Sequence, residues 1–295
     1  MFREKYNKSM FLQWVFRKSI FSSLLHKIYQ YYEFFRLKKE TKEQENDARR
    51  RREGYEDERF LQLKSLKDKY VGKRCFITCT GPSLTIGDLE KLKDEYVFGM
   101  NSICLIHDKT AWKPDFFGIQ DIKVFDRVKD SLLSTNNGMV FAPYEYRQLR
   151  NTPKDWVYFH ISGSYHLYDR RYKDRFWVNY SDDCYVTVYD GFSITYSLIQ
   201  IAIYMGFDEI YLIGADCNYL GNSQHFIEHG NLETAQSAVT AGYRNIVMYR
   251  KAKEYADAHN IKIVNVTRGG MLEVFPRMTL EDVLARDEKN KNVNQ

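Results

Sequence analysis

An α/β fold, a mostly parallel sheet with helices on both faces, is the class this 295-residue sequence predicts. Two observations predict it. From about residue 70 onward, short apolar runs alternate with helical patterns, the signature of parallel strands joined by covering helices. Several of those runs end in Gly-, Asn- or Asp-rich turns, and the carboxyl ends of such strands are where ligands collect. A basic helical extension precedes this region and a polar tail follows it. The expected division is residues 1–69, 70–284 and 285–295.

Residues 1–40 carry nine Lys or Arg against three acids, a net +6, within an overall charge of +5. Met10, Phe11, Trp14, Val15, Ile20, Leu24, Leu25, Ile28, Tyr31, Tyr32 and Phe35 recur at spacings of three and four, which predicts an amphipathic helix. Such a helix lies on an anionic membrane surface, or packs against its own domain or a second copy. The remaining chain is near neutral, which argues against a nucleic-acid partner. Residues 38–59 include Arg49 to Arg52 followed by Glu53, Glu56, Asp57 and Glu58, and read as a solvated helix or linker. There is no run of about 18 apolar residues, so no transmembrane helix is expected. Gln13, Arg17 and Lys18 break the apolar start, so a signal peptide is not expected either. Cys75, Cys79, Cys104, Cys184 and Cys217 contain no CxxC pair and read as small buried side chains in a reducing cytoplasm.

The expected strands are Cys75–Cys79, Tyr96–Met100, Asp115–Ile119, Gly138–Ala142, Trp156–Ile161, Glu209–Ile213 and Ile261–Val266. The clearest helices between them are Ser193–Met205 and Leu232–His259. Aromatic content is 16%, with 23 Tyr and 19 Phe. Tyrosine suits sugar and base binding, although most of these side chains belong to cores.

Thr80-Gly81-Pro82-Ser83-Leu84 follows the first strand and precedes a short helix. A glycine turn there offers bare backbone N–H groups to a phosphate. Thr85 and Asp88 form a capping pair for the helix. Asn101 ends the second strand, and Gln120 and Asp121 end the third. Amide side chains at such positions donate and accept together, as reading a base or ribose requires. Asp190-Gly191-Phe192-Ser193-Ile194-Thr195 opens a long helix; Ser193 or Thr195 is its N-cap, and the helix N-terminus attracts anions. Asp216 follows the Glu209–Ile213 strand, and a polar loop with Asn218, Tyr219, Gln224, His225 and His229 comes next. His225 titrates near neutrality and suits a general base, whereas His229 reads as a surface residue. Asp216, His225 and His229 lack any fixed metal-ligand spacing. Arg268, at the end of the last strand, suits a carboxylate or phosphate.

Three stretches together resemble the small bacterial sialyltransferases and the sialyltransferase-like domain of the motility accessory factor transferases. They are Cys79 to Leu84, Asn101, and Gly206 to Asp216. Within that superfamily the surface-polysaccharide proteins are most similar. They share His225-Phe226 and the ending Asn265-Val266-Thr267-Arg268-Gly269-Gly270-Met271-Leu272-Glu273-Val274-Phe275-Pro276. The likeness covers about residues 70–284. It implies a Rossmann-like glycosyltransferase that uses a CMP-activated acidic sugar without a metal or other cofactor. Gly81 to Ser83, with Thr80, would meet the donor phosphate and ribose. Asn101 would meet the cytidine, and Ser193 and Thr195 the donor sugar or phosphate. The sialyltransferases carry their base histidine just before the last long helix. Here that region is Thr240-Ala241-Gly242-Tyr243, without histidine. His225 is therefore the substitute base, with Asp216 beside it and the Tyr243 or Tyr219 hydroxyl to stabilise the leaving phosphate. The implied partners are the CMP-sugar and a glycan or lipid-linked acceptor, with a second copy as a further partner. The implied place is the cytoplasm, at the inner face of the plasma membrane through residues 1–40.

The Gly-Pro-Ser turn also resembles that of the archaeal-type hydroxymethylpterin pyrophosphokinases. Those need an acidic cluster for magnesium after the third strand, where this chain has Asp115 and Asp121 without a tight repeat. A third alternative is a non-enzymatic nucleotide-binding scaffold.

Overall fold

The structure, a computed structural model, describes residues 22–135, 138–165, 178–218, 226–227 and 235–293. It begins with a single 31-residue helix, α1 (Ser22–Arg52). After it come β1 (Arg74–Thr78), α2 (Ile86–Glu90), β2 (Tyr96–Met100), β3 (Phe116–Gly118), α3 (Ile122–Ser134), β4 (Met139–Pro143), α4 (Glu145–Arg150) and β5 (Val157–Phe159). The chain continues through two short strands, β6 (Ile161–Ser162) and β7 (Val188–Tyr189). It closes with α5 (Ile194–Tyr204), β8 (Glu209–Ile213), α6 (Ala235–Ala258), β9 (Lys262–Asn265) and α7 (Leu280–Val293).

Seven strands form one sheet in the order β5-β4-β3-β2-β1-β8-β9. Every pair in it is parallel. Each coincides with one of the expected apolar runs. Their burial explains why the sequence shows runs rather than alternation: helices cover both faces, so side chains of either parity are buried. In β1, for example, Cys75, Phe76, Ile77 and Thr78 are all buried. The architecture is the Rossmann-like one expected. Strands β1 to β5 add on one side of β1, and β8 then adds on the other. The strand order therefore reverses at β1, and the carboxyl ends of β1 and β8 flank the switch point.

α5 lies at the centre of the fold and is buried almost all round. A Cβ at Gly118 would come within 2.7 Å of Leu198 Cδ2, so the glycine lets β3 and this helix approach closely. Strand positions and glycines thus draw the start of α5 toward the carboxyl edge of the sheet.

Of the expected solvated helix or linker, residues 38–52 take the helix, and most of residues 38–59 are exposed; Thr41, Ala48, Arg51 and Asp57 depart from that expectation and are buried. Arg51 Nε donates to the Val186 carbonyl (2.8 Å), and its Nη1 reaches Asp57 Oδ2 (3.1 Å). Arg59 makes two further bonds to the same carboxylate. Burial alone would raise the Asp57 carboxyl, yet the Arg59 and Arg51 guanidiniums together hold it below its ordinary value. Two opposed arginines on one acid satisfy a buried charge that periodicity could not reveal. Phe60, Leu63 and Leu66 also enter the common core, so no break in packing marks residue 69. At the other end, α7 continues through Val293, so the segment expected as a polar tail after residue 284 begins inside a helix.

Residues 1–21 lie outside the described residues. Among those described, no helix is long and apolar enough to cross a membrane. On α1, Ile28, Tyr31, Tyr32 and Phe35 are exposed at helical spacing, along one face.

Candidate functional site

The turn after β1 is fixed by three sets of contacts. Gly81 N donates to the Gly214 carbonyl (2.9 Å), which ties the turn to the end of β8. Ser83 Oγ and Ser83 N donate to Asp216 Oδ2 at 2.8 and 3.4 Å. Thr85 and Asp88 make the expected reciprocal capping box at the start of α2. Gly81 is required sterically: a Cβ there would clash with the Asp216 carboxylate and the Gly214 carbonyl. Gly270, at φ +74, packs against the Asp216 backbone from the other side. Asp216 is 8% exposed, and burial raises its carboxyl, with the Ser83 hydroxyl opposing that shift.

Arg268 does not face the turn as a ligand group. Its guanidinium binds both oxygens of Asp88, each at 2.6 Å, and donates to the Ser83 carbonyl at 2.7 Å. It therefore holds the outer side of the turn. The surrounding motif is structural as well. Asn265 Nδ2 donates to the Leu272 carbonyl, and Asn265 Oδ1 accepts from Thr267 N.

A pocket of about 140 Å³ opens at the switch point. Thr80, Gly81, Asn101, Ser193, Thr195 and Asp216 all line it, so the structure brings together six of the residues singled out from sequence. Ser193 Oγ caps α5 by accepting from Thr195 N (3.3 Å). The positive end of the α5 dipole is thus directed at the pocket. Asn101 sits at φ +50, and its buried Oδ1 has no hydrogen-bond partner among the described residues. Asn245 and Tyr249, contributed by α6, complete the lining. Sequence reasoning passed over both. A signal existed: Asn245 recurs with Met248, Tyr249 and Ala252 at spacings of three and four, so it is a polar residue on the buried face of a helix.

Gln120 and Asp121 belong to a neighbouring crevice of about 640 Å³, which shares Asn101 and Ser193 with the pocket. Asp121 is the N-cap of α3. Gln120 bridges Asp190 (2.9 Å) and Ser197 (2.6 Å). Asp190, which the sequence marks only as the start of the stretch that opens α5, is pushed up to about 6 by burial, against hydrogen bonds from Phe192 N and Gln120. Pro82 is exposed at the tip of the turn. Tyr243 is 56% exposed on α6 and lines neither cavity.

His225, His229 and Tyr219 lie outside the described residues. Phe226, next to His225, donates its N–H to the Thr80 carbonyl at 2.8 Å. The described histidines near the core are held neutral: burial pushes His160 down to about 3 and His107 to about 4. Among the described residues no three His, Cys, Asp or Glu side chains form a group suited to a metal.

Residues 56–222, more than half of the chain, match the family described as 6-hydroxymethylpterin diphosphokinase MptE-like. The chain belongs to the MptE-like family. No curated protein has a matching sequence. Among solved structures, the MAf glycosyltransferase of Magnetospirillum magneticum AMB-1 is similar at 17% identity and a TM-score of 0.48. The similarity covers 77% of this MptE-like chain and 40% of the other. The chain therefore spans well under half the length of that glycosyltransferase. The sialyltransferase CstII of Campylobacter jejuni, in complex with cytidine-5'-monophosphate, is similar at 15% identity and a TM-score of 0.41. That match covers 71% of this chain and 86% of CstII.

Proposed function

We propose that this MptE-like protein is a glycosyltransferase. It moves an acidic sugar, sialic acid or a related nonulosonate, from a CMP-activated donor to a glycan or lipid-linked acceptor in surface polysaccharide synthesis. One observation carries the reading: the β1 turn, Asn101, the N-terminus of α5 and Asp216 converge on one pocket at the switch point. The turn's Gly81 and Ser83 N–H groups are already engaged, so it is the Thr80, Ser193 and Thr195 side chains at a helix N-terminus that suit a single phosphodiester, which is what a CMP-sugar presents. The unpartnered Asn101 Oδ1 suits a donor group of the cytidine. The pocket is small, and the adjoining crevice has the room an acceptor needs.

In this reading His225 takes the proton of the acceptor hydroxyl as CMP leaves, and the anomeric centre inverts. Tyr249, buried and lining the pocket, takes the place of Tyr243 as the proposed stabiliser of the leaving group. No resident metal is required. The alternative, diphosphate transfer to a pterin-like alcohol, has the family description in its favour. Calorimetry with CMP, UDP, GDP and ATP, each with and without magnesium, tests the two. CMP is expected to bind without metal. Tight ATP–magnesium binding with none of CMP would favour the alternative, and donor hydrolysis separates either enzyme from a scaffold.

The same reading places the enzyme on the cytoplasmic face of the plasma membrane through α1 and the segment before it. Replacing exposed Ile28, Tyr31, Tyr32 and Phe35 by serine is expected to abolish sedimentation with anionic liposomes. Unchanged sedimentation would leave packing against protein, including a second copy, as the role of that face.

A further inference from the structure

The large crevice has a charge that the donor reading does not use. Its rim and walls include Glu40 from α1, Asp121, Glu145 and Asp190. Among the described residues no Lys, Arg or His lines it. Of the nearby cations, Arg36 pairs with Glu33 and offsets Glu40 itself, and Arg59 pairs with Asp57, so the crevice's negative charge rests mainly on Asp121 and Glu145. Arg244 lies over the Phe192 ring and bears on Asp190. Among the described residues, the phosphate and carboxylate of a donor have no cationic complement in this crevice.

A second observation is independent of those carboxylates. Tyr146 lines the same crevice, is 3% exposed, and has a buried hydroxyl without a hydrogen-bond partner among the described residues. A buried phenol in that state is costly unless a bound molecule completes it. Burial raises its hydroxyl, and Asp121 is the neighbouring charge that adds most to that effect. The crevice thus offers a polar group on an aromatic wall together with negative charge, the combination that grips a sugar with an ammonium group.

We propose that this crevice is the acceptor subsite and that its occupant is a glycan bearing a free, protonated amine. The inference rests on the glycosyltransferase reading for the word acceptor, but the binding it describes stands without a donor. Asn101 and Ser193 line both cavities, so an acceptor seated here would meet the donor sugar at the junction. The ammonium also complements the carboxylate of the donor.

The test is calorimetry on the full chain with three tetrasaccharides: glucosamine (cationic), N-acetylglucosamine (neutral) and galacturonate (anionic). The expected order is cationic, neutral, anionic, with about tenfold or more between the ends. The double variant Asp121→Asn, Glu145→Gln is expected to erase most of that preference. Equal or tighter binding of galacturonate, or a preference that survives the double variant, overturns the proposal. Should the double variant fail to fold, Tyr146→Phe carries the test, with weaker glucosamine binding expected and unchanged affinity overturning it. CMP titrated in the same series separates the two readings. Absent CMP binding sinks the donor assignment alone, and CMP binding with a flat tetrasaccharide panel sinks this one alone.

Discussion

Gly81→Ala is expected to abolish CMP binding and to lower unfolding stability by about 1–3 kcal/mol or more, as overpacking at a closed position does. The added methyl would lie 2.8 Å from Asp216 Cγ and closer still to its carboxylate oxygen and to the Gly214 carbonyl. The Gly214 carbonyl cannot give way: Gly214 is held at φ +69 with its own Cβ direction closed by the Cys79 carbonyl. The turn must therefore lift from β8, which breaks the Gly81–Gly214 hydrogen bond and displaces the backbone that faces the pocket. Gly87, six residues on, supplies the control. It lies in α2, and a Cβ there would meet only Thr85 Oγ1, at 3.9 Å. Gly87→Ala should stabilise by about 0.4–1 kcal/mol and leave CMP binding intact. Thermal unfolding and CMP calorimetry on the pair check both halves. CMP binding by Gly81→Ala at the unsubstituted affinity would mean that the turn is not part of the nucleotide site.

The contrast between these two glycines shows which parts of the chain are legible in sequence. Strand positions were legible because a sheet covered on both faces demands continuous apolar runs, and Tyr96–Met100 and Glu209–Ile213 fall as expected. The capping box Thr85/Asp88 was legible because its logic is local. The partners of Arg268 were not, because Asp88 is 180 positions away and only the fold brings the two together. For the same reason a strand-end arginine suggested a ligand contact where the structure has a brace. Arg51 is similar. Within a run of four arginines nothing marks the one that turns inward, and its partners Asp57 and Val186 come from a turn and a distant segment. The pocket residues on sheet-edge turns were found from sequence, whereas those supplied by helix faces, Asn245 and Tyr249 in the pocket and Tyr146 in the crevice, were not. Helix periodicity reports burial and does not report what a buried polar atom faces.

Asp216→Ala and His225→Ala are expected to part in the kinetics. Asp216 Oδ2 accepts from both the hydroxyl and the backbone N–H of Ser83, and hydrogen bonds to a charged group contribute about 1.5–3 kcal/mol each. Losing them frees the turn on one side, while Arg268 still holds the other through the Ser83 carbonyl. The predicted result is a Kd for CMP raised about 10–100-fold, with CMP-sugar turnover at saturating donor changed far less. His225→Ala should do the reverse, leaving CMP affinity intact and lowering kcat about 10²–10⁴-fold, as loss of a general base does. The pH profile supplies an independent check. A histidine base loses activity as pH falls through the imidazole range. Asp216 is itself a carboxyl raised by burial, so the two single variants decide which group gives the acid limb. If instead Asp216→Asn kept its CMP affinity, lost kcat and removed the acid limb of the profile while His225→Ala kept full turnover, the proton would go to Asp216. Ser83 would then be the group that orients the base, in place of being the group that the carboxylate orients.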